Sequence, residues 1–295
     1  MSEFRELPAG IFEKSAHAGT LERVDYTVER ETGAAEEKHC WVYLPCGYDP
    51  GKQYDILYFL HGGGENADGM FFTRDEGIPD FSALLDHMIE GSAIRPILAV
   101  TPTYYPPDHT GHVIGDAAEA VARFPDEMFG ALIPAVEGRF GPGGDFSPAG
   151  QIASAAHRAL GGFSMGSVAT WYCFLADPRR FGAYFPLSGD CWACGMTAGS
   201  THPDETAEAL EKALAAVPKA ERKFYIYAAT GTDDIACPNM DGHLEAMRHH
   251  DAGFVFAPKE AGGNISYERH PGGVHNYTFI YQYLFNLLPR AFPAD

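Results

Sequence analysis

The chain has 295 residues, 45% of them hydrophobic, and a formal charge of −19 from 21 basic and 40 acidic side chains. That is enough apolar material for a sizeable core, which excludes a disordered chain. So acidic a surface repels phosphate backbones and anionic lipid, which argues against nucleic-acid and membrane partners and leaves neutral substrates, or solubility alone, as its reading.

The N-terminus, MSEFRELPAG, lacks the basic start and apolar core of a signal peptide, and no apolar run approaches the length of a bilayer span. As written the sequence reads as cytoplasmic, or as the mature form of a secreted protein. Residues 1–20 read as an N-terminal extension of a single domain over 1–295. Short apolar runs then alternate with helical patterns, the rhythm of a mainly parallel sheet covered by helices. "HCWVYLP" (39–45) predicts a strand ended by Pro45, and "DILYFL" (55–60) and "PILAVT" (96–101) predict strands buried on both faces. Phe129, Leu132, Ile133, Val136 and Phe140 trace one helical face. Glycine-rich 141–150 reads as a surface loop, because the rhythm continues beyond it. "RALGGF" (158–163) is a strand. Val168, Trp171, Tyr172 and Leu175 mark a helix that stops near Asp177-Pro178. Strands follow over 183–188 and 223–230, the first kept short by Pro186, with a helix through Ala207, Leu210, Leu214 and Val217 between them. A last strand over 263–270 and a closing helix over 276–288 complete the chain. His243, His249 and His250 lie on or beside a helix and are expected to face solvent.

The six cysteines, Cys40, Cys46, Cys173, Cys191, Cys194 and Cys237, are too sparse for a disulfide scaffold. Cys191-x-x-Cys194 has neither a second ligand pair for structural zinc nor a thioredoxin-like setting, so no metal site is expected.

The chemistry points to Gly162-Phe163-Ser164-Met165-Gly166, a serine flanked by glycines between a strand and a helix. In that context the pattern presents a nucleophile on a strained turn, with the following helix aiming its N-terminus at the reacting centre. A serine needs a base. His275, in the glycine-rich loop "PGGVHNY" (271–277) before the closing helix, is placed for that role. The acid should follow the preceding strand, where "GTDD" offers Asp234, with Asp233 as the alternative. An oxyanion hole needs two backbone donors. Met165 supplies one. His61-Gly62-Gly63-Gly64 supplies the other, from Gly63 with Gly64 next. No Walker-type lysine follows that triplet, so phosphate cradling is not its reading. Aromatic rings that could stack on an acyl group are Trp192, after "LSGD", and Tyr104, Tyr105 and Tyr277.

The stretches "VYLPCGYDPGKQYDILYFLHGGGEN", "HRALGGFSMGSVATWY", "FGAYFPLSGDCW", "ATGTDDIACPNM" and "GGVHNY" together resemble the feruloyl esterases of carbohydrate esterase family one, in the α/β-hydrolase superfamily. The resemblance runs from about Leu21 to about Phe292. It implies an α/β-hydrolase fold, a Ser164–Asp234–His275 triad with the Gly63 and Met165 amides as oxyanion donors, hydrolysis of ester-linked hydroxycinnamates, and no cofactor. Thioesterase or acyltransferase activity, or a non-catalytic binding role on the same scaffold, are the competing readings. The chain departs from the family pattern at Ser167, where a glycine is common, and at Asn276, where some members carry an aromatic.

Overall fold

A computed structural model describes residues 4–30, 32–72, 80–107, 109, 114–141 and 144–294. Eight strands form one sheet: β1 (Thr20–Glu29), β2 (Ala35–Leu44), β3 (Asp55–Leu60), β4 (Ile97–Thr101), β5 (Arg158–Phe163), β6 (Ala183–Leu187), β7 (Tyr225–Gly231) and β8 (Ile265–His270). Their spatial order is β1-β2-β4-β3-β5-β6-β7-β8. β1 and β2 are antiparallel to their neighbours, and the remaining strands run parallel. This is the α/β-hydrolase fold. The continuous apolar runs serve two cores at once. Ile56, Tyr58 and Leu60 of β3 face one core, and Leu57 and Phe59 face the other, as the two-residue period of a strand requires.

The first core is covered by α3 (Ile114–Glu127), α4 (Ile133–Phe140), α6 (Met165–Ala176), α8 (Pro203–Ala215) and α9 (Cys237–His250); the second by α2 (Phe81–Glu90) and α10 (Tyr277–Ala291). The short helices α1 (Gly69–Phe72), α5 (Pro148–Ala153) and α7 (Ala198–Thr201) lie in the connections. The helix expected through Phe129 and Phe140 is the end of a longer run. α3 passes through a wide π turn, Met128–Leu132, into α4. The turn lies between Pro125 and Pro134, two residues without an amide hydrogen for a regular ladder. Residues 142 and 143 of the glycine-rich stretch lie outside the described residues; Ser147 caps α5 through its hydroxyl.

Residues 4–12 are strapped to the body: Phe4, Leu7 and Phe12 pack on the second core, Ile11 is buried, and Asn286 of α10 bonds both the amide and the carbonyl of Arg5. Strand β6 is short, as Pro186 leads one to expect, and ends one residue beyond it. Its register with β5 is unbroken, while the register with β7 skips Phe185 and Pro186 and resumes at Leu187, so the missing amide is absorbed on the β7 side. His243 does not face solvent; it is fully buried, edge-on to Trp171 at 5.4 Å. All six cysteines are free thiols, with Cys191 buried and Cys194 exposed. Among the described residues no helix is long and apolar enough to cross a membrane.

Candidate active site

Every segment singled out for chemistry lies at the carboxyl end of a parallel strand, where α/β sheets collect their functional loops. Ser164 joins β5 to α6 with φ 54° and ψ −114°, a region a non-glycine residue occupies only when its surroundings hold it there. The hold is a hydrogen bond from its amide to Leu187 O (3.0 Å) and one from Val168 N–H to its carbonyl (3.1 Å). The flanking glycines follow from close approach: a Cβ on Gly162 would strike the backbone of Gly166, and one on Gly166 would strike the Leu60 and His61 carbonyls.

His275, between β8 and α10, places Nε2 3.0 Å from Ser164 Oγ and Nδ1 2.7 Å from Asp234 Oδ1. Asp234, just after β7, is buried and also accepts from Ala236 N–H at 2.8 Å. In this geometry the hydroxyl donates to Nε2 and Nδ1–H donates to the carboxylate, the tautomer a general base needs. Phe163 lies against the imidazole at 4.5 Å between ring centroids. Asp233 points elsewhere: it is exposed and accepts from Thr232 Oγ1.

The amide of Met165 opens α6, so it has no partner within its own helix. Gly63, in the loop after β3, lies against the Met165 side chain, near enough that a Cβ there would stand 3.1 Å from Sδ. Gly64 is different: its amide already donates to Tyr105 Oη at 3.0 Å. Of the ring candidates, Tyr104, Tyr105 and Tyr277 are all buried, and their hydroxyls are used on the glycine loop. Tyr104, expected on substrate, is buried with its hydroxyl donated to Gly62 O (2.9 Å). Trp192 remains half-buried, its Nε1–H donated to Asp190 Oδ1 (3.0 Å) and its carbonyl accepting from Tyr172 Oη (3.0 Å). Its loop passes beside the nucleophile, since a Cβ on Gly189 would strike Ser164 O.

Beside the expected residues, His61, Asp190 and Glu65 make side-chain hydrogen bonds to the loops around the site. His61 is fully buried, donates Nδ1–H to Gly62 O (2.7 Å) and accepts from Thr103 Oγ1 at Nε2 (2.8 Å). Burial pushes its pKa down to about 4, so it is neutral. Burial raises the Asp190 carboxyl, opposed by the Gly199 amide and Trp192. Glu65 accepts a short hydrogen bond from Tyr277 Oη. The departures from the family pattern have local reasons. Ser167 Oγ donates to Gly189 O at 2.7 Å, holding the Trp192 loop onto α6, and Asn276 caps α10 by accepting from Phe279 N–H.

A serine strained into reach of an imidazole, with a buried carboxylate behind it on a parallel sheet, defines a serine hydrolase of the α/β-hydrolase fold. No protein-family model matches the chain. It is 32% identical over 98% of its length to endo-1,4-beta-xylanase Y of Acetivibrio thermocellus, and it spans about a quarter of the length of the curated relatives it matches. Among solved structures it is 30% identical to a protein designated FAE (TM-score 0.82). It is also 30% identical to the feruloyl esterase module of Clostridium thermocellum, a serine-to-alanine variant complexed with sinapinate (TM-score 0.80); each match covers 98% of this chain and 93% of the other. The chain belongs to the feruloyl esterases of carbohydrate esterase family one.

Proposed function

We propose that this protein is a carboxylic ester hydrolase for hydroxycinnamate esters, feruloyl groups on plant cell-wall polysaccharides or oligosaccharides above all, acting as one catalytic module over residues 1–295 through an acyl-enzyme on Ser164. His275 takes the Ser164 proton as Oγ attacks the ester carbonyl, and Asp234 stabilises the imidazolium. The Gly63 and Met165 amides receive the developing oxyanion. The tetrahedral intermediate expels the alcohol, protonated by His275, and water then attacks the acyl-enzyme by the same route. Trp192 is the ring best placed for the aromatic acyl group. The continuous Ser164–His275–Asp234 hydrogen-bond chain carries this reading, and the likeness to a feruloyl esterase module complexed with sinapinate supports the acyl group.

The test is steady-state kinetics on methyl ferulate, methyl sinapate, p-nitrophenyl acetate and S-formylglutathione. The hydroxycinnamates should give the highest kcat/KM, and Ser164→Ala should keep the fold and lose about three or more orders of magnitude in kcat. A preference for S-formylglutathione would overturn the substrate class, and turnover retained by the alanine variant would overturn the nucleophile.

A further inference from the structure

The loop after β3 carries more polar attachments than a tight turn requires. The carbonyl of Gly62 accepts from His61 Nδ1 (2.7 Å) and from Tyr104 Oη (2.9 Å). A trans peptide sets the carbonyl of one residue and the amide of the next on opposite sides of one plane. Two donors on Gly62 O therefore fix the direction of the Gly63 N–H. The amides on either side are taken: Gly62 N–H donates to Tyr277 Oη (3.2 Å) and Gly64 N–H to Tyr105 Oη (3.0 Å). Among the described residues the Gly63 amide has no protein acceptor. Tyr105 Oη also lies 3.9 Å from Met165 Sδ, so it touches both arms of the hole.

The two tyrosines are themselves anchored. They follow β4 directly after Thr103. Thr103 Oγ1 accepts from Tyr105 N–H (3.2 Å) and its carbonyl accepts from Lys38 Nζ (2.8 Å). Lys38 is buried and ion-paired with the buried Glu127. Burial also raises the Tyr104 phenol, so the hydroxyl keeps its proton and remains a donor.

We propose that Tyr104 and Tyr105 are positioning residues of the oxyanion hole: their hydroxyls grip the peptides before and after Gly63 and leave its N–H alone aimed at the substrate oxygen. This rests on the reading of Gly63 as an oxyanion donor. A misaimed donor loses transition-state stabilisation while ground-state binding persists.

The test compares the parent, Tyr104→Phe and Tyr105→Phe on methyl ferulate and on its thiono analogue, in which sulfur replaces the carbonyl oxygen. Sulfur accepts hydrogen bonds weakly and lies farther from carbon, so a working hole favours the oxygen ester. Each variant should lose about 10- to 100-fold in kcat on the oxygen ester with KM within about threefold, as expected for weakening one donor. Each should lose less on the thiono ester, lowering the oxygen-to-sulfur rate ratio, with melting temperature near the parent's. A fall in kcat at constant ratio, or no fall, would overturn the proposal and leave the hole intact. A parent that does not discriminate between the two esters would overturn the hole itself, and this proposal with it. The variants act on separate peptides, so either decides the question if the other fails to fold.

Discussion

On the acid–base side of the site, two loops close on each other through main chain. Thr232 N–H donates to His270 O (2.9 Å), Asp233 N–H to Gly273 O (3.0 Å), and Gly231 packs so tightly that a Cβ would strike the Gly273 carbonyl. A side-chain bond adds to this, from Gly272 N–H to Thr232 Oγ1 (2.8 Å), and Asp234 and His275 bring the acid–base chemistry to that junction. On the oxyanion side the loop is held by side chains, from His61, Tyr104, Tyr105 and Tyr277. A side-chain base and its carboxylate can be oriented by the bond between them, provided their backbones are placed. A backbone donor has no rotamer to adjust, so its peptide plane must be fixed by its neighbours. The same tolerance is reached by opposite construction.

This contrast predicts different failures. The largest is Asp234→Asn. The amide keeps the volume and can still accept from Ala236 N–H, but it cannot hold Nδ1–H as the donor or stabilise the imidazolium. We expect kcat on methyl ferulate to fall about 10³- to 10⁴-fold with little change in melting temperature. Parent-like turnover would remove this carboxylate from the mechanism. Next is Gly231→Ala, which adds no charge and touches no reacting atom. The loops must separate to admit the methyl group, so stability should fall by about 2–4 kcal/mol in urea unfolding, with kcat falling alongside. The phenylalanine variants at 104 and 105 should lower kcat alone. If Gly231→Ala folds as stably as the parent, the two loops part easily and the main-chain closure does not hold them.

The sequence carried the catalytic segments because each is a local event. A glycine pair around Ser164, a glycine triplet after an apolar strand and a histidine before the last helix all announce a backbone that must turn or come close. Elements governed by alternation were less visible. Strand β1 shows Val24, Tyr26 and Val28 inward between Arg23, Asp25 and Thr27, but it lies at the sheet edge and six of its ten residues are polar. Helix α2 is only ten residues long, though Phe81, Leu84, Leu85 and Met88 share one face, and α3 is dominated by alanine and charge rather than large apolar residues. The placement of Tyr104 has no local signal. Only the three-dimensional meeting of β3 and β4 shows that its hydroxyl is spent on Gly62. The inward turn of His243 has no local signal, because α9 mixes polar residues along its length and its partner Trp171 lies 72 positions earlier.

At pH 7 the smallest effect belongs to one of two buried histidines. Burial holds both His61 and His243 down at about 4, against an ordinary value near 6.5. The unfolded chain therefore takes up these protons first as pH falls. Stability that is fully present above about pH 6.5 is lost as pH drops to about 4, by about 3 kcal/mol for each group. Glu127, Asp86 and Asp190, raised by burial, act in the opposite sense over acid pH, so the parent's net slope is a difference of terms. A variant isolates one of them. His61 has partners on both nitrogens, and replacing it would disturb the oxyanion loop. His243 donates Nδ1–H to Asn239 O (3.1 Å) while Nε2 is buried with no partner, so an aliphatic side chain gives up one hydrogen bond and removes the proton site. His243→Leu should be about 1 kcal/mol less stable at pH 7, yet lose about 3 kcal/mol less than the parent between pH 7 and pH 4. Urea unfolding at several pH values measures both. Parallel curves would mean that His243 already exchanges its proton freely in the folded state, and that the first core is open to water beside Trp171.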